Sequence, residues 1–387
     1  MSAPPSDATW EATEHTLAKI AILRAYLQAW FAILGRTAAT DMLYIDGFAG
    51  PGIYQDGQEG SPIIAVKAAC EARAKAGEKW KAKIIRMIFV ELDKKRFGSL
   101  QSQLKKFETL PGLEIQLINN EFALAFSAIK GEHKDAFISS MPFFAFLDPF
   151  GVKGVPFQTV RDMLASQRSE VFLLLDADGM ERIRKAGVAA GHQQVLDTAF
   201  GSAVWSEISF SGDAKSNARK LLAAYRQQLR QAAGVKFTFP FEMRRNNGVA
   251  SYHLLFATNH IRGLEKMKEA MRKVDKNFVF TDGKSGQNFM FAPDEPAVLA
   301  RDAEDYFNAQ CFGRERSYDD LKAWILQDTP YTRAERILDA IKGRKGIASA
   351  TIGGKVAEVG NRPIKWEQAQ KIKFRDHLQP PEKRLFD

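Results

Sequence analysis

Apolar residues recur at intervals of three and four near the start of the chain, between His15 and Leu34. They are Leu17, Ile20, Leu23, Leu27, Trp30, Phe31 and Leu34. This spacing places them on one face of an α-helix. The pattern therefore predicts an amphipathic helix that covers a hydrophobic core.

Five short runs rich in β-branched and aromatic residues follow this helix. They are MLYIDGF, KIIRMIFVELD, LEIQLINN, FFAFLDPF and EVFLLLD. Turn signals or helical patterns separate each run from the next. Buried strands that alternate with helices predict a parallel sheet with helices on both faces.

The pattern changes after the fifth run. A mostly helical stretch covers about residues 180–233, and two strand-like runs, VKFTFPFEM and YHLLFAT, come next. Asn246-Asn247-Gly248 between them is typical of a hairpin, because Asn and Gly tolerate positive φ. Parallel strands followed by a terminal hairpin are the order of a class I methyltransferase sheet. We therefore predict an α/β fold in which a Rossmann-like domain of this class, residues 1–312, carries a helical insertion.

The last part of the chain has a different pattern of apolar and polar residues. Ser317 to Asp320 and Thr332 to Glu335 resemble capping boxes that open short helices, and the alternating stretch GIASATIGGKVAEVG follows. Short helices followed by a hairpin are the pattern of a winged helix. We expect residues 313–387 to form a small basic domain of this kind.

Charge points to an anionic partner. The formal net charge is +9 and the pI is about 9.3. From Arg314 onward there are 16 Lys and Arg against 11 Asp and Glu, so this segment supplies +5 of the total. Nucleic acid, DNA or RNA, is the commonest large partner of a basic protein, so we expect it here.

The composition of the chain indicates the cellular compartment in which the protein is expected. The apolar runs are short, and the first residues lack a basic start followed by an apolar stretch, so we expect no membrane span and a cytoplasmic protein. Cys70 and Cys311 have no spacing that suggests a zinc site or a disulfide framework. Asp176 and Asp178 in LLLDADG are interpreted as a strand end and turn, and no metal is expected.

A glycine-rich loop follows the first predicted strand. It contains Asp46, Gly47, Phe48, Gly50 and Gly52. Glycine lets a loop turn sharply and lets a ligand approach the backbone closely. The sequence has neither GxGxxG nor a Walker lysine at this position. The loop is a candidate cofactor site, although a simple turn is the alternative.

Four other residues are candidates for the same site. Glu91 ends the second strand, where an acidic side chain accepts ribose hydroxyls, and together with the loop it favours an adenosyl cofactor. Tyr54 is a candidate anchor of the polar loop after Gly52, and Glu121 of the adenine contacts. Lys19 on the first helix is a candidate for a cofactor carboxylate. Each has a plain surface role as its alternative.

The fourth strand ends in Asp148-Pro149-Phe150-Gly151. At the crevice where open α/β sheets bind ligands, Asp148 is placed to accept an N–H bond from an exocyclic amine. Phe150 is placed to stack on a base, and Pro149 fixes the turn. These three are the candidate catalytic residues. A turn that only reverses the chain is the alternative.

Together these motifs resemble those of nucleic-acid amino-methyltransferases. The family's cofactor motif, Asp-x-Phe-x-Gly-x-Gly, is matched from Asp46 to Gly52. Its catalytic motif, Asp/Asn-Pro-Pro-aromatic, is matched only in part, because the second proline is missing. The Asp-Pro-Phe-Gly form instead resembles that of tRNA guanine-N2 dimethyltransferases.

At longer range the chain is similar to the three-Cys-motif partner proteins, a bacterial methyltransferase-like family. The resemblance runs from the Lys19 helix through YIDGFAGPG, GSP, FVELD and DPFG to YHLLFATNH and GLEKMKEAM. It implies a Rossmann-like methyltransferase domain, S-adenosylmethionine as cofactor, and a partner protein that carries a three-cysteine motif.

Basic residues cluster in the C-terminal segment, with Trp366 and Phe374 nearby as candidates for stacking on bases. The candidate nucleic-acid contacts are Lys342, Arg344, Lys345, Lys371 and Lys373. A solvated charged face is the alternative.

Three functions remain open from the sequence. The first is a methyltransferase that uses S-adenosylmethionine and acts on an exocyclic amine of a nucleic-acid base. The second is a methyltransferase-like scaffold or regulator of a three-cysteine-motif protein without catalysis of its own. The third is a DNA-binding regulator that uses only its winged helix.

Overall fold

The computed structural model describes residues 9–138, 141–187, 191–245, 251–282, 306–307, 310–360 and 362–378. The chain forms two compact units, Met1–Gln287 and Asn288–Asp387. The sequence pattern had suggested a boundary at 312/313. The structure divides the chain earlier, and Phe307, Cys311 and Phe312 are buried in the hydrophobic core of the second unit.

The first unit is built on an eight-stranded sheet in the order β3-β2-β1-β4-β5-β7-β6-β8. Its strands are β1 (Met42–Asp46), β2 (Ile85–Val90), β3 (Leu113–Ile118), β4 (Phe143–Leu147), β5 (Ser169–Leu175), β6 (Phe237–Arg244), β7 (Ser251–Thr258) and β8 (Val279–Thr281). Strand β7 runs antiparallel to β5 and β6, and the other neighbouring pairs are parallel. The predicted Rossmann-like sheet with its terminal hairpin is confirmed. Asn246-Asn247-Gly248 lie outside the described residues.

Helices cover this sheet. They are α1 (Glu14–Thr37), α2 (Ser61–Ala76), α3 (Lys94–Leu104), α4 (Phe122–Glu132), α5 (Lys134–Ile138), α6 (Phe157–Met163), α7 (Ala177–Lys185), α8 (His192–Phe200), α9 (Ala214–Ala232) and α10 (Ile261–Val274). The central strands β1, β4 and β5 are buried along their whole lengths, because helices cover both faces of the sheet. The predicted helical insertion corresponds to α7, α8 and α9.

Helix α1 packs on the sheet through aromatic side chains. The rings of Tyr26 and Trp30 lie 5.4 and 5.9 Å from that of Phe144 on β4. Within the described ranges, α1 is the one helix long and apolar enough to cross a membrane by length and composition. Tyr26 and Leu27 on this helix are almost completely buried inside the protein. Such burial is typical of an apolar helix in the core of a globular protein.

The second unit contains a four-stranded antiparallel sheet in the order β11-β10-β12-β9. Its elements are β9 (Glu315–Ser317), α11 (Tyr318–Asp328), α12 (Ala334–Gly343), β10 (Ile347–Ile352), β11 (Lys355–Glu358) and β12 (Ala369–Phe374). Two helices followed by a hairpin are present as expected. The winged-helix assignment itself stays a prediction.

The two predicted capping boxes differ in outcome. Ser317 caps α11, since its hydroxyl accepts a hydrogen bond from the Asp320 N–H at 3.1 Å. The second prediction is wrong, because α12 begins at Ala334 after Arg333, which makes no capping hydrogen bond through its side chain. Thr332 is buried instead.

Candidate functional site

Three carboxylates gather at one edge of the sheet. Asp46 is the last residue of β1, Glu91 follows β2 and Asp148 follows β4. These strands are neighbours in the order β2-β1-β4, so their carboxyl ends bring the three side chains together. This edge is where open α/β sheets bind ligands.

The loop after β1 depends on three of its glycines. The Gly47 N–H donates to the Phe146 carbonyl at 3.0 Å, and a Cβ on Gly47 would lie only 2.8 Å from Phe122. Gly50 and Gly52 have φ of +67° and +82°, which side-chain-bearing residues rarely adopt. A Cβ on Gly50 would meet no atom within 4 Å. The loop therefore leaves open space beside its backbone.

Asp46 is fully buried next to this open space. Its Oδ1 accepts from the Phe48 N–H at 3.3 Å, while Oδ2 has no hydrogen-bond partner among the described residues. Burial, reinforced by the charges of Asp148 and Glu91, raises its pKa to about 7, although the Ser61 hydroxyl and the Phe48 N–H act in the opposite direction. An unsatisfied buried carboxylate is costly, which points to a ligand that completes it.

The start of α2 places Ser61 beside Asp46. The helix begins at Ser61, and its N-cap is Gly60. A Cβ on residue 60 would lie 2.9 Å from the Gly52 carbonyl oxygen, so only glycine fits there. The Ser61 hydroxyl is thereby directed to Asp46.

Glu91 already holds the loop that follows β1. Its Oε2 accepts from the Gly50 N–H at 2.9 Å, and its Oε1 accepts from the Asp93 N–H at 2.8 Å. The Arg96 Nε lies 3.1 Å from Oε1. Because a carboxylate has about four lone-pair sites, Glu91 retains capacity for the ribose hydroxyls that the sequence assigns to it.

Arg96 is a site residue that the sequence reasoning missed. It lies in the first turn of α3, where the Asp93 side chain caps the helix by accepting from the Lys95 and Arg96 N–H groups. Arg96 is 8% exposed, and its Nη1 has no hydrogen-bond partner among the described residues. A sequence signal for Arg96 does exist. Asp93, two residues after Glu91, is a helix N-cap, and Arg96 as the third residue of the helix then lies beside the end of β2.

Aromatic rings surround this guanidinium. Its carbon lies 5.8 Å from the ring centres of both Trp10 and Phe150. Trp10 in turn packs edge-on against Tyr54, with ring centres 5.5 Å apart. Tyr54 is therefore packed against Trp10, and burial raises its pKa. Its role as the anchor of the loop stays a prediction. Trp10 was not among the candidates.

Lys19 lies in the site, but its partner is Asp148. The ammonium group donates to the Asp148 Oδ2 and lies 5.9 Å from the centre of the Tyr252 ring. The sequence had assigned Lys19 to a cofactor carboxylate. The structure instead gives the candidate catalytic carboxylate an internal counter-ion, a contact between residues 129 positions apart that no local pattern reveals.

The other candidates are placed as follows. Pro149 is buried and Phe150 is 47% exposed, so its ring is accessible at the site. Glu121 is exposed at the start of α4. Asp176 caps α7 by accepting from the Gly179 N–H at 2.8 Å, as the turn interpretation requires.

Two further observations concern titrating and metal-binding groups. His253 is buried on β7, where burial lowers its pKa to about 4, so it is neutral at physiological pH. Within the described ranges no three His, Cys, Asp or Glu side chains cluster as metal ligands.

The basic candidates lie in the second unit, and their surroundings differ. Lys371 and Lys373 are both exposed, two residues apart on β12, and Lys371 pairs with Glu315 at 2.9 Å. Lys342 donates to the Arg362 carbonyl at 2.6 Å. Arg344 and Lys345 follow α12 directly, and Lys345 is exposed with a φ of +52°.

The expected stacking role of Trp366 and Phe374 is wrong. They are only 1% and 2% exposed and belong to the core of the second unit. The Trp366 Nε1 donates to the Asp339 Oδ1 at 2.8 Å, so its polar group is satisfied internally.

No protein-family model matches the chain, and no curated protein matches its sequence. Among solved structures, Trm1 from Pyrococcus horikoshii in complex with S-adenosyl-L-methionine is 10% identical over 72% of this chain, with a TM-score of 0.34. This chain spans only 65% of that protein.

Two other solved structures are similarly distant. A precorrin-6y C5,15-methyltransferase from Geobacter metallireducens is 11% identical over 60% of this chain and 87% of its own, with a TM-score of 0.28. A protein of the DUF574 family from Streptomyces avermitilis is 12% identical over 61% and 82%, with a TM-score of 0.31. Such distant likeness does not identify a function.

Proposed function

We propose that the first unit is a methyltransferase that uses S-adenosylmethionine. The observation that carries this proposal is the buried carboxylate of Asp46, whose Oδ2 has no partner in the described chain and which adjoins the open backbone at Gly50. A ligand with cationic groups and a nucleoside fits this donor set, because Asp46 favours a positive charge and Glu91 retains acceptor sites for hydroxyls.

The chain's own residues supply binding and orientation. The loop from Asp46 to Gly52 and Glu91 would hold the cofactor, and Tyr54 with Trp10 would cover it. S-adenosylmethionine supplies a methyl group that its sulfonium already activates. Catalysis by the protein then consists mainly of positioning and of excluding water.

The acceptor that fits best is an exocyclic amine of a nucleic-acid base. Asp148 would accept an N–H bond and orient the nitrogen lone pair toward the cofactor loop, while the exposed ring of Phe150 stacks on the base. The Lys19 ammonium occupies only part of the acceptor capacity of Asp148, because a carboxylate oxygen has two lone pairs.

The cofactor proposal is tested by calorimetric titration of the full chain with S-adenosylmethionine. We expect micromolar binding that Gly50→Asp abolishes, because the new side chain fills the open space and adds a negative charge beside Asp46. Gly234→Asp is the matched control, since Gly234 has a similar φ of +68° and equally open surroundings. It precedes β6 at the opposite edge of the sheet, so binding should persist.

Loss of binding in both glycine variants would indicate general misfolding. Absence of binding in the natural sequence, with the fold intact, would contradict a stand-alone cofactor site.

Nucleic-acid binding by the second unit is tested by charge reversal. We expect Lys371→Glu with Lys373→Glu to weaken binding to duplex DNA or structured RNA at least tenfold. Each lost phosphate contact should also make the slope of the logarithm of the binding constant against the logarithm of the salt concentration shallower by about 0.9. The measurement is fluorescence anisotropy across a salt series, with cofactor binding unchanged.

The matched control is Lys81→Glu with Lys83→Glu. These lysines are exposed, two residues apart, and precede β2 in the first unit. An equal loss of affinity in this pair would mean that only net charge matters and would contradict a binding face on β12.

One observation favours a second function. The Lys19 ion pair neutralises the candidate catalytic carboxylate, which suits a methyltransferase-like scaffold or regulator of a three-cysteine-motif partner. In that case the cofactor binds, but no methyl group is transferred unless the partner is present.

A further inference from the structure

A separate cavity lies at the other edge of the same sheet. Glu170, which lines it, is the second residue of β5 and pairs with Phe144, the second residue of β4. Asp148 follows the opposite end of β4. The cavity therefore opens at the amino ends of the strands, away from the candidate cofactor loop.

One wall of the cavity is apolar. Tyr26, Trp30, Ile33 and Leu34 contribute it from successive turns of α1. The cavity volume is about 140 Å³. A cavity of roughly 150 Å³ lined by apolar side chains holds a benzene molecule, so this one accommodates a single ring.

The polar groups in the wall include a buried donor, the indole N–H of Trp30. Its internal acceptor is the Glu170 carboxyl group, which also accepts from the Tyr26 hydroxyl at 2.7 Å and from the Thr258 hydroxyl at 2.8 Å. Because Glu170 is committed to these donors inside the chain, the groups left to meet a ligand are the cations in the rest of the lining.

Cationic groups form much of the rest of the lining. Arg168, Arg262 and Lys266 lie around the cavity, and burial lowers the pKa of His260 beside them. Among the residues that the structure describes, Glu170 is the one acidic side chain in the wall. Lys266 also pairs with Glu269 at 2.6 Å. Helix α10 begins at Ile261 beside the cavity, and no side chain caps its first N–H groups. An uncapped helix start flanked by cations favours an anion.

We propose that this cavity binds a small monocyclic aromatic carboxylate. The ring lies against Trp30 and Leu34, and the carboxylate lies at the start of α10 beside Arg262. The site is independent of the proposed methyltransferase activity, because it shares no residue with the cofactor loop or with Asp148.

The test uses the full chain labelled with ¹⁵N at tryptophan, which gives signals from six indole groups. The Trp30 signal is assigned by its loss in Trp30→Phe. Benzoate is the probe, and benzyl alcohol is its neutral counterpart. We expect benzoate to shift the Trp30 signal saturably without shifting that of Trp366, and benzyl alcohol to bind at least fivefold more weakly.

Two variants separate charge from shape. Arg262→Ala should weaken the binding of benzoate at least threefold and leave the binding of benzyl alcohol unchanged. Ile33→Trp should prevent the binding of both probes, because the larger side chain fills the cavity. Absence of a saturable Trp30 shift up to the solubility limit of benzoate would overturn the proposal. Equal affinities for the two probes would overturn the assigned ligand class.

Discussion

Asp148→Ala is expected to lower methyl transfer to nucleic acid about 100-fold or more, because an unpositioned amine loses most of the advantage of a fixed geometry. The affinity for S-adenosylmethionine should change less than twofold, since Asp148 holds the acceptor and the glycine loop holds the cofactor. The measurement is transfer of a labelled methyl group to a pool of structured RNA and duplex DNA, beside calorimetric titration of the cofactor.

Asp148→Asn is the matched control for this prediction. Asparagine keeps an acceptor oxygen but not the charge, so it should retain transfer within about tenfold if hydrogen bonding positions the amine. Unchanged transfer in the alanine variant would rule out Asp148 as the positioning group. Loss in both variants would instead favour a role for the charge itself, held by Lys19.

Asp46→Asn is expected to stabilise the fold while weakening cofactor binding. Burial raises the pKa of Asp46 from 3.8 to about 7, so the native state holds a proton that the unfolded state releases over this interval. The free energy of unfolding therefore falls as the pH rises from about 4 to 7, and the full cost is present above pH 7. Asparagine removes that cost, which is roughly 4 kcal/mol at pH 8.

Urea unfolding at pH 5 and pH 8 measures this effect. The gain in the free energy of unfolding should be clearly larger at pH 8 than at pH 5, because less of the cost is present at the lower pH. An equal gain at both pH values would show that Asp46 is ionised at both and would contradict the raised pKa.

The affinity for S-adenosylmethionine should depend on pH in the opposite direction from the stability of the fold. A cationic ligand favours the ionised form of Asp46, so binding should tighten as the pH rises toward and through 7, by up to about tenfold per unit. The asparagine variant should bind more weakly and without this dependence.

The sheet was predictable because its strands carry their own signal. β1, β4 and β5 are buried on both faces and read as continuous apolar runs, so their order along the chain fixed the fold class. Strand β8 was missed, since three residues are too few to show a period. The start of the second unit was also missed, because apolar residues do not show which core they join.

The site was predictable only as far as its local motifs. Asp46 ends β1, Glu91 directly follows β2 and Asp148 directly follows β4, and the ends of neighbouring parallel strands must meet. The partners of these carboxylates were not visible, because Lys19 comes from a helix far away in the sequence. Trp366 and Phe374 were misjudged since aromatic residues beside lysines suit a stacking surface and a core equally well.

The position of β7 also constrains the order in which the first unit is completed. Strand β5 pairs with β7, yet the helical insertion and β6 are made before β7. During synthesis one edge of the fully buried strand β5 therefore stays without its final neighbour until residues 251–258 have emerged from the ribosome. An unpaired apolar edge invites association with other chains, so the nascent protein is open to aggregation during this interval.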